Sequence, residues 1–261
     1  MTDSRPLIES RGLAIGYGDA VIAHDIDVAV HAGEVVCLLG PNGSGKTTLF
    51  KTLLRLLGRL AGSVSIAGEP IESLPRPLLA RRLAYVPQAH ISVFPFQVLD
   101  MVLMGRTAHL GMFSSPGEAD RERAREALAL LGIGHLADRE YTRISGGQRQ
   151  LALIARALAQ DAPTIVMDEP TASLDFGNQA LVLREVRRLA ERGLGIVLST
   201  HDPDHAFAIG NRVLVLHDGR VVADGAPRDV LTRQRLEEVY GVPVAIETLA
   251  DGRVTCLPQL Q

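Results

Sequence analysis

The chain has 261 residues, a net charge of −3 and a hydrophobic share of 46%, enough for one large domain or two small ones around a sizeable core. Its basic residues are dispersed, which argues against a nucleic-acid partner, and its two cysteines, Cys37 and Cys256, make no disulfide framework and fit a reducing compartment. No apolar run approaches the roughly 18–20 residues of a membrane span, and the N-terminus, with Asp3, Arg5 and Glu9, lacks the apolar core of a signal peptide, so the chain is not expected to form a pore.

Short strands are predicted at Leu13–Ile15 and Ile26–Val30, antiparallel to each other. Glu34–Leu39 is apolar and partly β-branched, as in a buried strand. Gly40 breaks it, and a helical pattern begins at Lys46. Between them runs Gly40-Pro41-Asn42-Gly43-Ser44-Gly45-Lys46-Thr47-Thr48, the pattern G-x-x-x-x-G-K-T in a strand–loop–helix context. Its glycines let backbone N–H groups turn toward phosphate oxygens, and the helix N-terminus adds positive potential. Lys46 is expected on the β- and γ-phosphates and the Thr47 hydroxyl on Mg²⁺, so ATP and Mg²⁺ are the expected cofactors.

Ser63–Ile66 reads as a further strand. Residues 90–160 then read as helical, with an amphipathic helix over Glu118–Leu131 ended by Gly132. Another helix runs over Gln148–Gln160. Ser145 is its natural N-cap, and Gly146 and Gly147 allow an anion to approach closely. Thr164–Met167 is a buried strand ending in Asp168 and Glu169. Alone, that acidic pair would equally suit capping of the next helix. With the phosphate loop upstream, Asp168 reads as the Mg²⁺-side acid and Glu169 as general base for a water, a role contributing typically about 10²–10⁴-fold in rate. The strand Gly195–Thr200 leads to His201. Arg212–His217 and Arg220–Ala223 form a hairpin around Asp218-Gly219. A second, small hairpin pairs Val244–Leu249 with Val254–Leu257 and is read as having no chemistry of its own. Alternating strands and helices predict a mainly parallel α/β sheet.

These motifs, in this order over roughly residues 7–230, resemble an ATP-binding cassette (ABC) subunit. The resemblance implies an α/β phosphate-loop NTPase core with a mainly parallel sheet, an N-terminal antiparallel β part and an inserted helical subdomain. Residues 1–89 and 161–234 would form the core, 90–160 the helical subdomain, and 235–261 a C-terminal hairpin extension. Tyr17, in Gly16-Tyr-Gly18, matches the aromatic that stacks on adenine. Gln88, in Tyr85-Val-Pro-Gln88, matches the glutamine that touches Mg²⁺ and the attacking water. Ser145, Gly146, Gly147 and Gln148 match the signature motif, here opened by Ile144 in place of the usual leucine. That motif would act on the nucleotide of a second copy. Asp175, in Ala172-Ser-Leu-Asp175, matches the acid of the loop crossing the dimer interface. His201 matches the histidine on the γ-phosphate.

Three further stretches are similar to importer ATPases for iron–siderophore, haem, cobalamin and molybdate-type cargo: Gly105–Gly111, Val239–Val244 and Leu174–Gln179. In the apolar run Ile91–Met104, the residues Phe94, Phe96, Met101 and Met104 could line a groove for a helix of a membrane subunit, while Val98, Leu99 and Val102 fill the helical subdomain. The implied protein is a peripheral ATPase on the cytoplasmic face of the inner membrane. Two copies would sit beneath two integral-membrane permease subunits, with an extracytoplasmic binding protein delivering cargo. An iron chelate is the leading cargo, and molybdate or tungstate the second. A soluble ABC ATPase, such as one in iron–sulfur cluster assembly, and an exporter are the alternatives.

Overall fold

The structure is a computed structural model describing residues 5–88, 95–111, 114–172 and 174–259. Strands β1 (Ile8–Tyr17) and β2 (Ala20–Val30) form a bulged antiparallel hairpin that turns at Gly18, where φ is +55°. Both strands are longer than the sequence suggests. The hairpin has one solvated face, and its exposed Asp25 and Asp27 interrupt the apolar signal without interrupting the strand.

Next come β3 (Val35–Leu39), the helix α1 (Lys46–Leu53), β4 (Ala61–Ile66) and the two-residue β5 (Glu69–Pro70). The small sheet has the order β2-β1-β4-β5. Every residue of β3 is buried, because successive side chains enter two different cores. Val35, Cys37 and Leu39 join one core with the helices, and Val36 and Leu38 join another with α1 and the β1–β2 hairpin. Burial pushes the Cys37 thiol up to about 12, so it stays protonated and inert.

After α2 (Arg76–Ala80) and β6 (Leu83–Val86), three helices pack on one another: α3 (Val98–Leu103), α4 (Glu118–Leu130) and α5 (Gly146–Ala159). Gly132, at φ +70°, turns the chain out of α4. The stretch around Gly105 has a structural job here. Gly105 lies so close to the backbone of α5 that a Cβ would strike the Arg156 carbonyl. Arg106 then binds Asp120 of α4 at 2.9 Å and the Ala159 carbonyl of α5 at 2.8 Å.

The remaining elements are β7 (Thr164–Met167), α6 (Phe176–Glu191), β8 (Gly195–Thr200), α7 (Pro203–Ile209), β9 (Arg212–His217), β10 (Arg220–Gly225), α8 (Pro227–Val230), α9 (Arg233–Tyr240), β11 (Val244–Thr248) and β12 (Val254–Pro258). The main sheet has the order β10-β9-β3-β8-β7-β6 and is parallel except for the β9–β10 hairpin. That hairpin turns through Asp218 and Gly219, both at positive φ, as a two-residue turn of this kind requires. The terminal β11–β12 hairpin is fastened to the core: Asp204 of α7 accepts bonds from the Thr255 hydroxyl (2.9 Å) and the Cys256 N–H (2.6 Å). Among the described residues, no helix is long and apolar enough to cross a membrane.

Candidate nucleotide site

Parallel strands β3, β6, β7 and β8 deliver their following loops to one edge of the sheet. Open α/β sheets bind ligands there, beyond the carboxyl ends of their strands. A cleft of about 360 Å³ opens at this edge, lined by Asn42, Gly43, Gly45, Lys46, Thr47 and Thr48 of the loop after β3, with Gln88, Glu169 and Ile22.

The loop is shaped for an anion. Gly43 and Gly45 have φ of +84° and +102°, and a Cβ on Gly45 would press Ile22 at 2.8 Å. Gly45 also caps α1 without a side-chain acceptor, so the first N–H groups of the helix are left to a ligand. Gly40 lies against the Leu216 carbonyl, leaving no room for a side chain. Beside it, the buried Ser44 hydroxyl has no partner. A buried hydroxyl left without a partner beside the uncapped first turn of α1 suits a phosphate oxygen. Lys46 is buried and donates to the carbonyls of Gly40 (2.9 Å) and Pro41 (3.0 Å). Burial draws its ammonium below the usual lysine range, while Glu169 and Asp168 pull it back up.

Asp168 is buried at the end of β7. Its N–H donates to the Val86 carbonyl (2.9 Å), and its Oδ1 accepts the Ser199 hydroxyl at 2.7 Å. Burial, and then the Asp168 charge, push the neighbouring Tyr85 phenol up to about 12. Glu169 has φ +43°, a left-handed conformation in a non-glycine residue standing before a proline. Such a conformation costs of order 1–3 kcal/mol and persists only where its surroundings enforce it. Here Ser199 accepts the Glu169 N–H at 2.8 Å. The carboxylate lies between two cationic or hydrogen-bonding groups, with Oε1 3.7 Å from Lys46 Nζ and Oε2 3.5 Å from His201 Nδ1. Among the described residues, no cluster of three or more His, Cys, Asp or Glu could cage a metal by itself. Thr47 and Gln88 line the cleft and Asp168 ends the strand beside it, and a hydroxyl, an amide and a carboxylate are oxygen donors of the type Mg²⁺ takes when phosphates complete its shell.

The signature residues lie elsewhere. Ser145 caps α5 in a reciprocal box: its Oγ accepts the Gln148 N–H (3.3 Å), and Gln148 Oε1 accepts the Ser145 N–H (3.0 Å). Among the described residues, Ser145, Gly146 and Gly147 do not line the cleft around Lys46. They meet Asp175 instead, through Asn178. Asp175 caps α6 and accepts both the backbone and side-chain N–H of Asn178 at 2.8 Å. The Asn178 side chain fills the space where a Cβ on Gly147 would stand. Tyr17 belongs to neither cluster: it ends β1 about half exposed. Sequence reasoning missed Ser199, Ile22 and Asn178. Ser199 sits inside a strand that reads only as apolar, and nothing in its own pattern marks it.

The fold and this edge of the sheet define a phosphate-loop nucleotide-binding protein. The ABC transporter family matches residues 23–172, more than half of the chain. An ABC transporter ATP-binding protein of Haemophilus influenzae, itself uncharacterized, is 46% identical over 200 residues, covering 77% of this chain and 76% of the relative. A hemin import ATP-binding protein, HmuV, of Gloeobacter violaceus is 39% identical, covering 75% of this chain and 73% of the relative. Among solved structures, an inward-facing metal-chelate type ABC transporter superposes with a TM-score of 0.87 at 32% identity, covering 98% of this chain and 99% of that one. The chain belongs to the ABC transporter family, and it is an ATP-binding subunit whose ATP hydrolysis is coupled to transport.

Proposed function

We propose that the protein powers import of a metal chelate, with an iron chelate as its cargo. The similarity to hemin import and to an iron chelatin transport protein of Helicobacter pylori, 36% identical over 200 residues, supports this choice. Residues 1–89 and 161–234 act as the nucleotide core, 90–160 as the helical subdomain and 235–261 as an extension.

One observation carries the mechanism: Ser145–Gly147 stand apart from the cleft that holds Lys46 and Glu169. Each chain then holds two half-sites, and a second copy in head-to-tail arrangement completes both. The ATP phosphates take the loop N–H groups, the Ser44 hydroxyl and Lys46, with Tyr17 against the adenine. Thr47, Asp168 and Gln88 would hold Mg²⁺, which supplies positive charge to the β- and γ-oxygens. Glu169, held by Lys46 and Ser199, accepts the proton of the water that attacks the γ-phosphorus as the bond to the bridging oxygen breaks. His201 reaches the same carboxylate and the γ-phosphate. From the other copy, Ser145, Gly146 and Gly147, at the start of α5, add a hydroxyl and N–H donors to that phosphate, and Asp175 reports across the interface.

A groove of about 510 Å³ between Leu56, Tyr85, Met104 and Arg156 suits a short helix from a permease subunit. It carries Arg55, Arg76 and Arg156 and, among its described lining, no acid, which favours a helix bearing carboxylates. Of the residues expected to line it, Met104 does. Met101 is buried with Val98, Leu99 and Val102, Phe96 is partly exposed outside it, and Phe94 lies outside the described residues. The subunit would therefore sit peripherally on the cytoplasmic face of the membrane, with a binding protein acting beyond it. Purification of the tagged Glu169→Gln chain from native membranes with ATP tests the reading. A dimer with a many-helix permease is expected, and the dimer is lost when Ser145→Arg is added. A soluble assembly without a permease would overturn it.

A further inference from the structure

His201 is held by the C-terminal extension. The Tyr240 hydroxyl, at the end of α9, donates to the His201 carbonyl oxygen at 2.9 Å. Tyr240 packs half-buried against the larger core. Burial, and then the nearby Asp202 and Cys256, push its phenol well above the usual range, so the hydroxyl remains a donor.

The surrounding bonds make this contact part of a clamp. Gly241, at φ +70°, turns the chain out of α9 directly after Tyr240. Glu237, in the same helix, accepts the Val244 N–H at 3.2 Å and so fixes the start of β11 to α9. The partner strand β12 is bound through Thr255 and Cys256 to Asp204, in the first turn of α7. The segment after β8 is thus gripped twice by the C-terminal extension, at His201 and three residues later. From the core side, the Thr200 hydroxyl pairs with the His205 ring at 2.9 Å and accepts the Asp202 N–H at 3.0 Å.

We propose that Tyr240 is a positioning residue for ATP hydrolysis, setting the backbone of His201 and hence the direction in which its imidazole meets Glu169 and the γ-phosphate. This rests on the role given to His201 above. The terminal extension then becomes part of the catalytic apparatus, although it contributes no atom to the reaction.

Tyr240→Phe removes one oxygen and keeps the ring, so the core is preserved. Steady-state ATPase of the full chain is compared among the wild type, Tyr240→Phe, His201→Ala and the double variant. Loss of one hydrogen bond on a positioned group predicts a fall in kcat of about 3- to 10-fold for Tyr240→Phe, with KM for ATP within about twofold. In the His201→Ala background the same change should add nothing, because Tyr240 acts through that residue. Unchanged kcat in Tyr240→Phe beside a strong loss in His201→Ala would overturn the inference and leave the role of His201 standing. An equal loss in both backgrounds would also overturn it, by giving Tyr240 a merely structural part. A His201→Ala variant with wild-type kcat would refute the role of His201 itself, and the inference with it.

Discussion

Ser199 and Asp168 share a 2.7 Å hydrogen bond across the β7–β8 pair, and the same Ser199 oxygen accepts the Glu169 N–H at 2.8 Å. One buried hydroxyl thereby orients the acid assigned to Mg²⁺ and enforces the left-handed backbone of the proposed base. Ser199→Ala leaves the buried Asp168 oxygen and the part-buried Glu169 N–H without their partner, a cost of about 1–3 kcal/mol. ATPase activity should fall more than about tenfold, because Glu169 can relax out of its strained conformation. Urea unfolding and steady-state turnover read the two effects separately.

Gly147 and Asn178 compete for the same space. Gly147→Ala should therefore destabilise the chain by about 1–3 kcal/mol through overpacking. Shortening the obstacle with Asn178→Ala in the same chain should recover most of that loss, a coupling that a double-mutant cycle on denaturation midpoints measures. Additive effects would mean that the two side chains do not meet.

His205 carries a pH dependence. Burial lowers its pKa below the ordinary 6.5, as does the neighbouring His201, while Asp202 and Asp204 oppose the shift. The unfolded chain therefore takes up the proton at a higher pH than the folded chain. The associated stability is fully present above about pH 6.5 and is lost as pH falls below it. The denaturation midpoint should drop between about pH 7.5 and 5.5, and drop less in His205→Gln, which cannot titrate.

The phosphate loop, the acidic pair after β7 and the Ser145 cap were legible because their chemistry is local. Each needs certain residue types at fixed spacing in a strand–loop–helix unit, and the chain supplies them. The buried strands were legible for a similar reason: a strand covered on both faces reads as a continuous apolar run. The β1–β2 hairpin was underestimated because a half-exposed strand alternates, and its polar positions look like breaks.

The sequence by itself determined the order of the strands along the chain, the anion-binding loop and the residue types available for hydrolysis. Tertiary structure alone decided which of these meet. Parallel pairing of β3, β8 and β7 brings Lys46 and His201 to the two oxygens of Glu169, at 3.7 Å and 3.5 Å. It also placed Ser199 between Asp168 and Glu169, Asn178 against Gly147, and Tyr240 on the His201 carbonyl. These contacts span from 30 to 39 residues of chain. Their partners are ordinary serine, asparagine and tyrosine side chains, and only folding gives each a specific neighbour to bind.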